Sequence, residues 1–287
     1  MSSHRSVAGV QGRGSGTTLV YDSAERRLPV LDQFRELVRY RDLLKHLIVR
    51  NIKTRYKRSA LGILWTLLNP LLMMLVLTVV FASIFQIRME RYAVYALTGL
   101  ILWNFFAQTT SNSMSELLWG GNLMSRIYMP RAVFAVTALG TGLVNLLLSL
   151  VPLVAIMVLT GAPPGASILF LPVPILLTAM FALGVALFLS RLAIYFADVL
   201  EMYQILLTAW MYFTPIIYPK EIAPAHLRVL FNFNPMYHLV ETFRAPVHQG
   251  TYAGVKTLSA AAAVSAITLI LGWWFFSRKA DEIAYRV

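Results

Sequence analysis

The side chains that could carry acid–base, metal or redox chemistry are few in this chain of 287 residues. It holds no cysteine, which excludes disulfides, thiol catalysis and cysteine-ligated metals. Five histidines lack metal-ligand spacing, and they are His4, His46, His226, His238 and His248. The glycine-rich fragment at 12–17 lacks the Gly-Lys-Ser/Thr ending of a phosphate-binding loop, and no complete Gly-x4-Gly-Lys-Ser/Thr occurs elsewhere. The sequence therefore predicts no catalytic residue, no metal site and no cofactor in this chain.

Charge is scarce along two long apolar stretches, and this decides the class of protein. No Asp, Glu, Lys or Arg lies between Ser59 and Ile87, or between Ala132 and Ser190. A helix over the first stretch would exceed the roughly 30 Å hydrocarbon core of a bilayer. Only 13% of residues are charged, against about 25% in soluble domains, and the mean hydropathy is +0.65. The sequence therefore predicts an integral membrane protein.

The charged residues nearest these stretches do not indicate ion-coupled transport. Arg191, Asp198 and Glu201 all fit a turn between spans, so a proton- or sodium-coupled carrier would have no obvious coupling residue. The net charge of +12 is explained by asymmetric loops and by attraction to anionic headgroups. We therefore predict membrane lipids, and not nucleic acid, as the partner of the basic residues.

The hydropathy pattern predicts an all-α membrane protein with six transmembrane helices. The predicted spans cover residues of about 61–86, 92–115, 132–160, 168–190, 202–218 and 257–277. They form one transmembrane domain at 59–287. It follows a disordered cytoplasmic tail at 1–29 and an N-terminal amphipathic interfacial helix at 30–58.

The connection between spans five and six is longer than a hairpin needs. Two proline-bounded stretches, Ala225 to Phe233 and Met236 to Val247, predict short helices there. These could enter the outer leaflet as re-entrant gate helices, or rest on the outer surface as an amphipathic pair. Glu241 and Arg244 are at i, i+3 in the second stretch and could form an ion pair.

The distribution of positive residues predicts the orientation. Of the 25 Lys and Arg residues, 19 fall before the first span, in 116–131, at Arg191 or after the last span. The other 6 fall on the opposite side. By the positive-inside rule, both termini are predicted to be cytoplasmic.

Two sequence runs resemble a known family. The run Arg50 to Trp65, followed by Asn69-Pro70-Leu71, resembles the opening of ABC-2 type permeases that export polysaccharides, the membrane subunits of O-antigen, teichoic-acid and capsule exporters. The run Tyr212 to Pro219, with Asn234-Pro235 and the stretch 241–244 after it, resembles the end of the fifth helix and the periplasmic gate helices of that family.

The resemblance covers about residues 31–287, and the sequence departs from the family pattern at one point. Family members often have Arg-Asp where the fourth helix ends, and this chain has Ala197-Asp198. The resemblance therefore implies no charge role at that turn.

The resemblance implies a permease of the bacterial cytoplasmic (inner) membrane that forms a homodimer. Two nucleotide-binding ATPase subunits would bind the ATP and Mg that this chain does not. A polysaccharide, expected in lipid-linked form, would pass through a channel between the two permeases.

The resemblance also implies roles for individual residues. It places an ATPase-coupling helix at 122–129, with contacts from Asn122, Leu123, Arg126 and Ile127. From composition alone, that segment could also be a solvated loop. The resemblance places the channel entrance at Arg55, Lys57, Arg58, Leu61 and Gly62. It places an external gate at Tyr218, Asn234, Glu241 and Arg244.

A channel for sugars needs aromatic faces for stacking and polar groups for hydrogen bonds. The candidates for lining it are Trp103, Phe105, Phe106, Tyr203, Trp210, Tyr212 and Phe213. The same rings could instead lie at the bilayer interface or in helix packing. Two other functions are weighed: an ABC-2 permease for a small lipid or drug, and a membrane-embedded enzyme, which would need a convergent acid–base or metal cluster.

Overall fold

The computed structural model describes residues 37–57, 61–62, 64–83, 91–119, 130–161, 164–196 and 198–277. Every regular element within these ranges is helical, which confirms the predicted all-α class. The predicted tail at 1–29 lies outside the described residues. So do five predicted site residues, which are Asn122, Leu123, Arg126, Ile127 and Arg58.

The α-helices follow one another through the described ranges with short connections. They are α1 (Arg41–Tyr56), α2 (Leu64–Ser83), α3 (Tyr92–Trp119), α4 (Ala132–Leu159), α5 (Pro172–Tyr195), α6 (Val199–Tyr212), α7 (Ala225–Phe231), α8 (Pro235–Arg244) and α9 (Val255–Ser277). Two 3-10 turns, Ala166–Phe170 and Lys220–Ile222, and a π turn, Ala245–Gln249, lie between them.

Four helical segments in the described part of the chain are long and apolar enough to cross a membrane. They are Leu64–Phe81, Ala132–Leu159, Ala166–Tyr195 and Val255–Ser277. The predicted second span coincides with α3, which is long at 28 residues but carries more polar side chains. The predicted fifth span overlaps α6, which has only 14 residues. The six-span count therefore stays a prediction.

Two predicted spans differ from the helices in their bounds. The predicted fifth span runs to 218, but α6 ends at Tyr212, ahead of Pro215. Proline has no N–H for the helix ladder, and its ring crowds the carbonyl four residues before it. The predicted fourth span begins at 168, whereas α5 begins at Pro172 after the 3-10 turn, since proline is favoured in the first turn of a helix.

Helix α3 is the centre of the bundle. It packs against α2, α4, α5, α6 and α8, and most of its side chains are buried. Helices α5 and α9 form a second close contact, where a Cβ on Gly272 would lie 2.1 Å from the carbonyl oxygen of Gly184. Only glycine lets the two backbones approach this closely, as is common between helices in membranes.

The bundle has two ends, which we name by the helix found there. At the α1 end, Leu37 and Leu47 pack against Leu117 of α3, Val133 of α4 and Phe276 of α9. At the α8 end, the start of α3 meets α8 and the loop 213–218 that follows α6. The predicted entrance and the predicted gate thus belong to opposite ends.

Candidate functional site

A stripe of neutral polar side chains runs along one face of α3. Asn104, Gln108, Ser111 and Ser115 recur at steps of four, three and four residues, so they lie on the same side of the helix. All four are half-buried in the single chain. Within a bilayer such groups are costly unless they meet polar partners or water, so their alignment points to a function. We call these four residues the polar stripe.

The first part of the polar stripe borders a cavity of about 130 Å³ between α2, α3 and α4. Helix α2 lines it with Thr66 and Asn69, and α4 lines it with Asn145 and Ser149. The ring of Trp65 stands at its edge. Its polar groups are amides and hydroxyls, which both donate and accept hydrogen bonds. The cavity therefore suits hydroxyl-bearing groups or water better than ions.

Helix α6 borders the other side of the polar stripe. The Gln204 amide donates a hydrogen bond to the Ser111 hydroxyl at 3.0 Å. One residue earlier, the Tyr203 hydroxyl donates to the hydroxyl of Thr110 at 2.8 Å. The polar stripe thus lies between two helices, α2 and α6, that both contact α3.

Six of the seven predicted channel-lining rings fall into two groups, and the seventh, Trp210, is half-buried. The buried group is at most 4% exposed and contains Trp103, Phe105, Phe106 and Tyr203. The Phe106 ring contacts the rings of Phe181 and Trp210, each with a centroid distance of 5.4 Å. Trp103, Phe106 and Tyr203 therefore lie in helix packing, whereas Phe105 also borders the cavity beside the polar stripe.

The exposed group lies at the end of α6. Tyr212 is 57% exposed and Phe213 is 69% exposed. With Tyr218, Phe233 and the edge of Trp210, they border an apolar recess of about 460 Å³. These rings have the accessible faces that stacking on a sugar requires. Channel lining stays a prediction.

Asn234 connects the start of α8 to the end of α6. Its side-chain oxygen accepts from the Met236 N–H, which caps α8, and from the indole N–H of Trp210 at 3.0 Å. Its amide nitrogen donates to the Thr214 hydroxyl at 2.8 Å. The Asn234 side chain therefore forms hydrogen bonds both with α8 and with the segment at the end of α6.

Arg244 connects the end of α8 to α3 and to the loop after α6. Its side chain is 1% exposed, and its guanidinium carbon lies 3.6 Å from the centroid of the Tyr95 ring. It donates to Glu241 at 2.7 Å and to the carbonyl of Ile216 at 3.2 Å. A buried guanidinium needs this degree of pairing, because an unpaired buried charge is strongly unfavourable.

Two tyrosines of α3 bind the same loop. The Tyr92 hydroxyl donates to the carbonyl of Ile217 at 2.6 Å, and the Tyr95 hydroxyl to that of Tyr218 at 2.9 Å. The Tyr218 hydroxyl in turn donates to the carbonyl of Tyr212. All four predicted gate residues thus lie around the end of α6 and its loop, although no observation tests their role as a gate.

The predicted entrance is described only in part. Lys57 and Leu61 are exposed, and Gly62 has a φ of +48°, which favours glycine. For Arg55 the structure describes the helical backbone alone. The entrance role of these residues stays a prediction.

A carboxylate at the α1 end holds α1 against α3. The Asn51 amide donates to Glu116 at 2.7 Å. Glu116 lies just beyond the predicted second span, and burial raises its pKa to about 7, against the opposing effects of the Arg50 charge and the Asn51 amide. This contact immediately precedes the segment predicted to couple to an ATPase.

The family of the chain follows from its match to a known protein family. Residues 42–247 match the family described as ABC-2 type transporter, which is well over half of the chain. The chain belongs to the ABC-2 type transporter family. In this ABC-2 transporter the matched range runs from α1 through α8, so it includes the polar stripe and both ends of the bundle.

Curated relatives carry consistent names. An O-antigen export system permease protein RfbA of Myxococcus xanthus is 30% identical over 252 residues, covering 87% of this chain and 97% of the relative. A protein of the same name from Klebsiella pneumoniae is 26% identical over 211 residues, covering 73% and 82%. A polysialic acid transport protein KpsM of Escherichia coli is 24% identical over 240 residues, covering 83% and 93%.

These comparisons confirm the family resemblance seen in the sequence. With its apolar helices, this ABC-2 transporter is a multi-pass inner-membrane protein. The relatives are permeases and not ATPases, which agrees with a permease that is not itself an enzyme.

Several site residues escaped prediction from sequence. They are Asn69, Asn145, Ser149, Ser111 and Gln204 around the polar stripe, and Tyr92 and Tyr95 at the α8 end. The helical spacing of Ser111 and Ser115 behind Gln108 was a usable signal. The two tyrosines gave none, because Tyr at the start of a span is also typical of an interfacial anchor.

Proposed function

We propose that this chain is the permease subunit of an ATP-driven exporter that moves a polysaccharide, linked to a lipid, across the cytoplasmic membrane. Both termini are cytoplasmic, and six helices span the bilayer: α2, α3, α4, α5, α6 and α9. The α1 end then faces the cytoplasm and the α8 end faces outward. The uneven distribution of Lys and Arg supports this orientation.

The polar stripe is the observation that carries the transport role. Its amides and hydroxyls lie on a helix that is otherwise packed among apolar side chains. A neutral polar surface can exchange hydrogen bonds with successive sugar hydroxyls without the tight binding that a buried charge would impose. The exposed rings of Tyr212 and Phe213 would add stacking faces near the outer exit.

Two copies of the chain form the channel in this proposal. The outward faces of α2 and α6, which border the polar stripe, carry exposed apolar side chains: Leu72, Leu75, Val76, Met202, Ile205 and Leu206. Facing copies would bury these side chains and enclose the two polar stripes between them. The channel would begin at Arg55, Lys57, Arg58, Leu61 and Gly62, and end at the gate formed by Tyr218, Asn234, Glu241 and Arg244.

Energy comes from two separate ATPase subunits that bind ATP and Mg. The coupling contacts are those predicted at Asn122, Leu123, Arg126 and Ile127, and α1 contacts the ATPase beside them. The bond between Asn51 and Glu116 supports this, because it joins α1 to the stem of the coupling segment.

The relatives supply the substrate class. Their names specify O-antigen export and polysialic acid transport, so a polysaccharide is favoured over a small lipid or drug. No observation favours the alternative substrate class or the membrane-embedded enzyme.

A deletion and complementation experiment tests the function. Removal of the gene should abolish the surface polysaccharide of the native cell, detected by glycan staining of whole-cell extracts, and the wild-type gene should restore it. Ser111→Leu should restore it poorly, because it replaces a stripe hydroxyl by a bulky apolar group. Ser259→Leu is the matched control, since Ser259 is exposed on α9 and bonds only within its own helix turn. Surface polysaccharide that persists in the deletion strain would refute the proposal.

A further inference from the structure

The loop at 213–218 owes its position to side chains of other helices. Four successive carbonyls, from Pro215 to Tyr218, each accept a hydrogen bond from a side chain of α3 or α8. The donors are Tyr92, Tyr95 and Arg244. Because the loop begins at Phe213 and ends at Tyr218, which both border the apolar recess, moving these donors would move the two rings.

Among these donors, Arg244 is the one that lies on α8. Its guanidinium donates to Pro215 at 3.3 Å and to Ile216 at 3.2 Å while it lies over the Tyr95 ring. It therefore joins three segments at one point: α3, α8 and the loop. Tyr95 and Arg244 lie 149 positions apart in the sequence.

The charge of Arg244 is paired within its own helix. Its partner Glu241 is three residues earlier on α8, at 2.7 Å. If α8 moves away from α3, the ion pair moves with it, and no unpaired buried charge is left behind. The interactions that break in such a movement are hydrogen bonds to carbonyls and one cation–π interaction. This arrangement holds α8 firmly and still permits its release.

We propose that Arg244 is a positioning residue that keeps α8 and the loop 213–218 against α3, and so holds the outer end of the resting permease closed. We call Arg244, Glu241, Tyr95 and the carbonyls of Pro215 and Ile216 the α8 latch. The inference rests on the proposed function, because it specifies how the external gate is kept shut.

A substitution at Gly99 on α3 can displace the latch without replacing any of the residues that form it. A Cβ at this position would lie 2.9 Å from Arg244 Nη2 and 2.9 Å from Ile216 Cγ2. Gly99→Ala should therefore push the guanidinium and the loop away from α3. Gly254→Ala is the matched control, since a Cβ there meets no atom within 4 Å.

A disulfide can close the latch reversibly. Two cysteines at Gly99 and Ile216 would have Cβ atoms within about 4.5 Å of each other, which is within reach of a disulfide. The natural chain has no cysteine, so this pair would be unique. The same protein sample can then be measured with the disulfide formed and with the disulfide reduced, so a folding defect would affect both measurements equally.

The test uses the full-length permease in vesicles of phosphatidylethanolamine and phosphatidylglycerol loaded with a self-quenched fluorescent dye. Gly99→Ala, and the double-cysteine variant when reduced, should release dye severalfold faster than wild type. The oxidised double-cysteine variant and Gly254→Ala should release it at the wild-type rate. Arg244→Lys should leak less than Arg244→Ala, because Lys keeps the charge and one donor direction.

Equal release from the oxidised and reduced double-cysteine protein would overturn the latch, as would a Gly99→Ala variant as tight as wild type. The same variants separate the latch from the proposed function. A redox-dependent leak in a protein whose deletion leaves surface polysaccharide intact would keep the latch and refute polysaccharide export. Loss of polysaccharide on deletion, with no redox-dependent leak, would support polysaccharide export and refute the latch.

Discussion

The two ends of the bundle hold their helices by different kinds of contact. At the α1 end, leucines of α1 pack against apolar side chains of α3, α4 and α9, and one amide–carboxylate bond adds to them. At the α8 end, apolar side chains of α8 are also buried, but a buried arginine and two tyrosines in addition bind backbone carbonyls, and an asparagine binds the Trp210 indole. Apolar packing depends mostly on fit, whereas hydrogen bonds fix direction and register.

This difference suggests a division of roles between the ends. An apolar contact can slide while it stays buried, which suits an end that would receive motion from an ATPase. A hydrogen-bonded network holds one geometry until it breaks as a unit, which suits an end that must be open or shut. Weakening each end in turn tests this contrast.

Removing the arginine at the α8 end should give the largest effect. Arg244→Ala leaves Glu241 without its partner and the Ile216 carbonyl without its side-chain donor, for a cost of about 3–5 kcal/mol. Thermal unfolding in detergent measures this loss. Glu241→Gln should cost less, because Gln can still accept a hydrogen bond from the guanidinium. Equal stabilities for Arg244→Ala and wild type would mean that the buried apolar side chains of α8, such as Leu239 and Phe243, are sufficient to hold it.

Truncating a leucine at the α1 end should give a smaller and more local effect. Leu47→Ala removes a side chain that is 6% exposed and should cost about 2–3 kcal/mol. Because α1 can detach while the spans remain packed, hydrogen–deuterium exchange should rise in α1 and stay unchanged in α8. The matched control is Val49→Ala, since Val49 is 47% exposed on the same helix. An equal rise in exchange at α8 would contradict the independence of the two ends.

The carboxyl group of Glu116 should make the α1 end sensitive to pH. Its pKa is raised from 4.5 to about 7, so the docked state keeps the proton to higher pH than the undocked state. Docking of α1 is therefore most favourable below pH 4.5 and weakens as the pH rises to about 7. Glu116→Gln should remove this dependence and strengthen docking at pH 8 by about 1–3 kcal/mol.

Exchange protection of α1 at pH 5 and pH 8 measures this effect. Wild-type protection should fall at the higher pH after correction for the intrinsic exchange rate. The Glu116→Gln variant should show equal corrected protection at both values. A wild type that is better protected at pH 8 would reverse the sign and refute the burial effect.

Removing the cap of α8 should give the smallest effect. Asn234→Ala removes the acceptor for the Met236 N–H and for the Trp210 indole, at a cost of about 1–2 kcal/mol. Asn234→Asp keeps that acceptor but loses the donor to Thr214, so it should restore part of the stability. Thermal unfolding of the three proteins gives the order.

The helices could be predicted from sequence where the signal is local. The predicted third span, 132–160, nearly coincides with α4 at Ala132–Leu159, because a continuous apolar run ends at a Gly-Pro turn. The two short helices before α9 fall where the prolines predicted them. The end of α6 was placed six residues too late, because apolar residues continue past it to Tyr218 and hydropathy alone does not register Pro215 as a helix terminator.

The candidate site was predictable only in part. Tyr218, Asn234, Glu241 and Arg244 were selected by resemblance, and they do lie around one segment of the chain. Their partners Tyr92, Tyr95 and Gly99 could not be deduced, because these lie more than 100 positions away from the loop that they contact. Contacts over such distances depend on how the helices pack, which no local pattern specifies.

The sequence by itself determined that this is a helical membrane protein, where its apolar runs begin and end, and which family it resembles. These properties depend on the hydrocarbon thickness and on short-range helix geometry, and both act on residues close together in the chain. The tertiary structure alone decided which face of each helix is buried. The spacing of Asn104, Gln108 and Ser111 puts them on one face of α3, but only the packing of the bundle decided that this face lies between α2 and α6 while Trp103 and Phe106 are core.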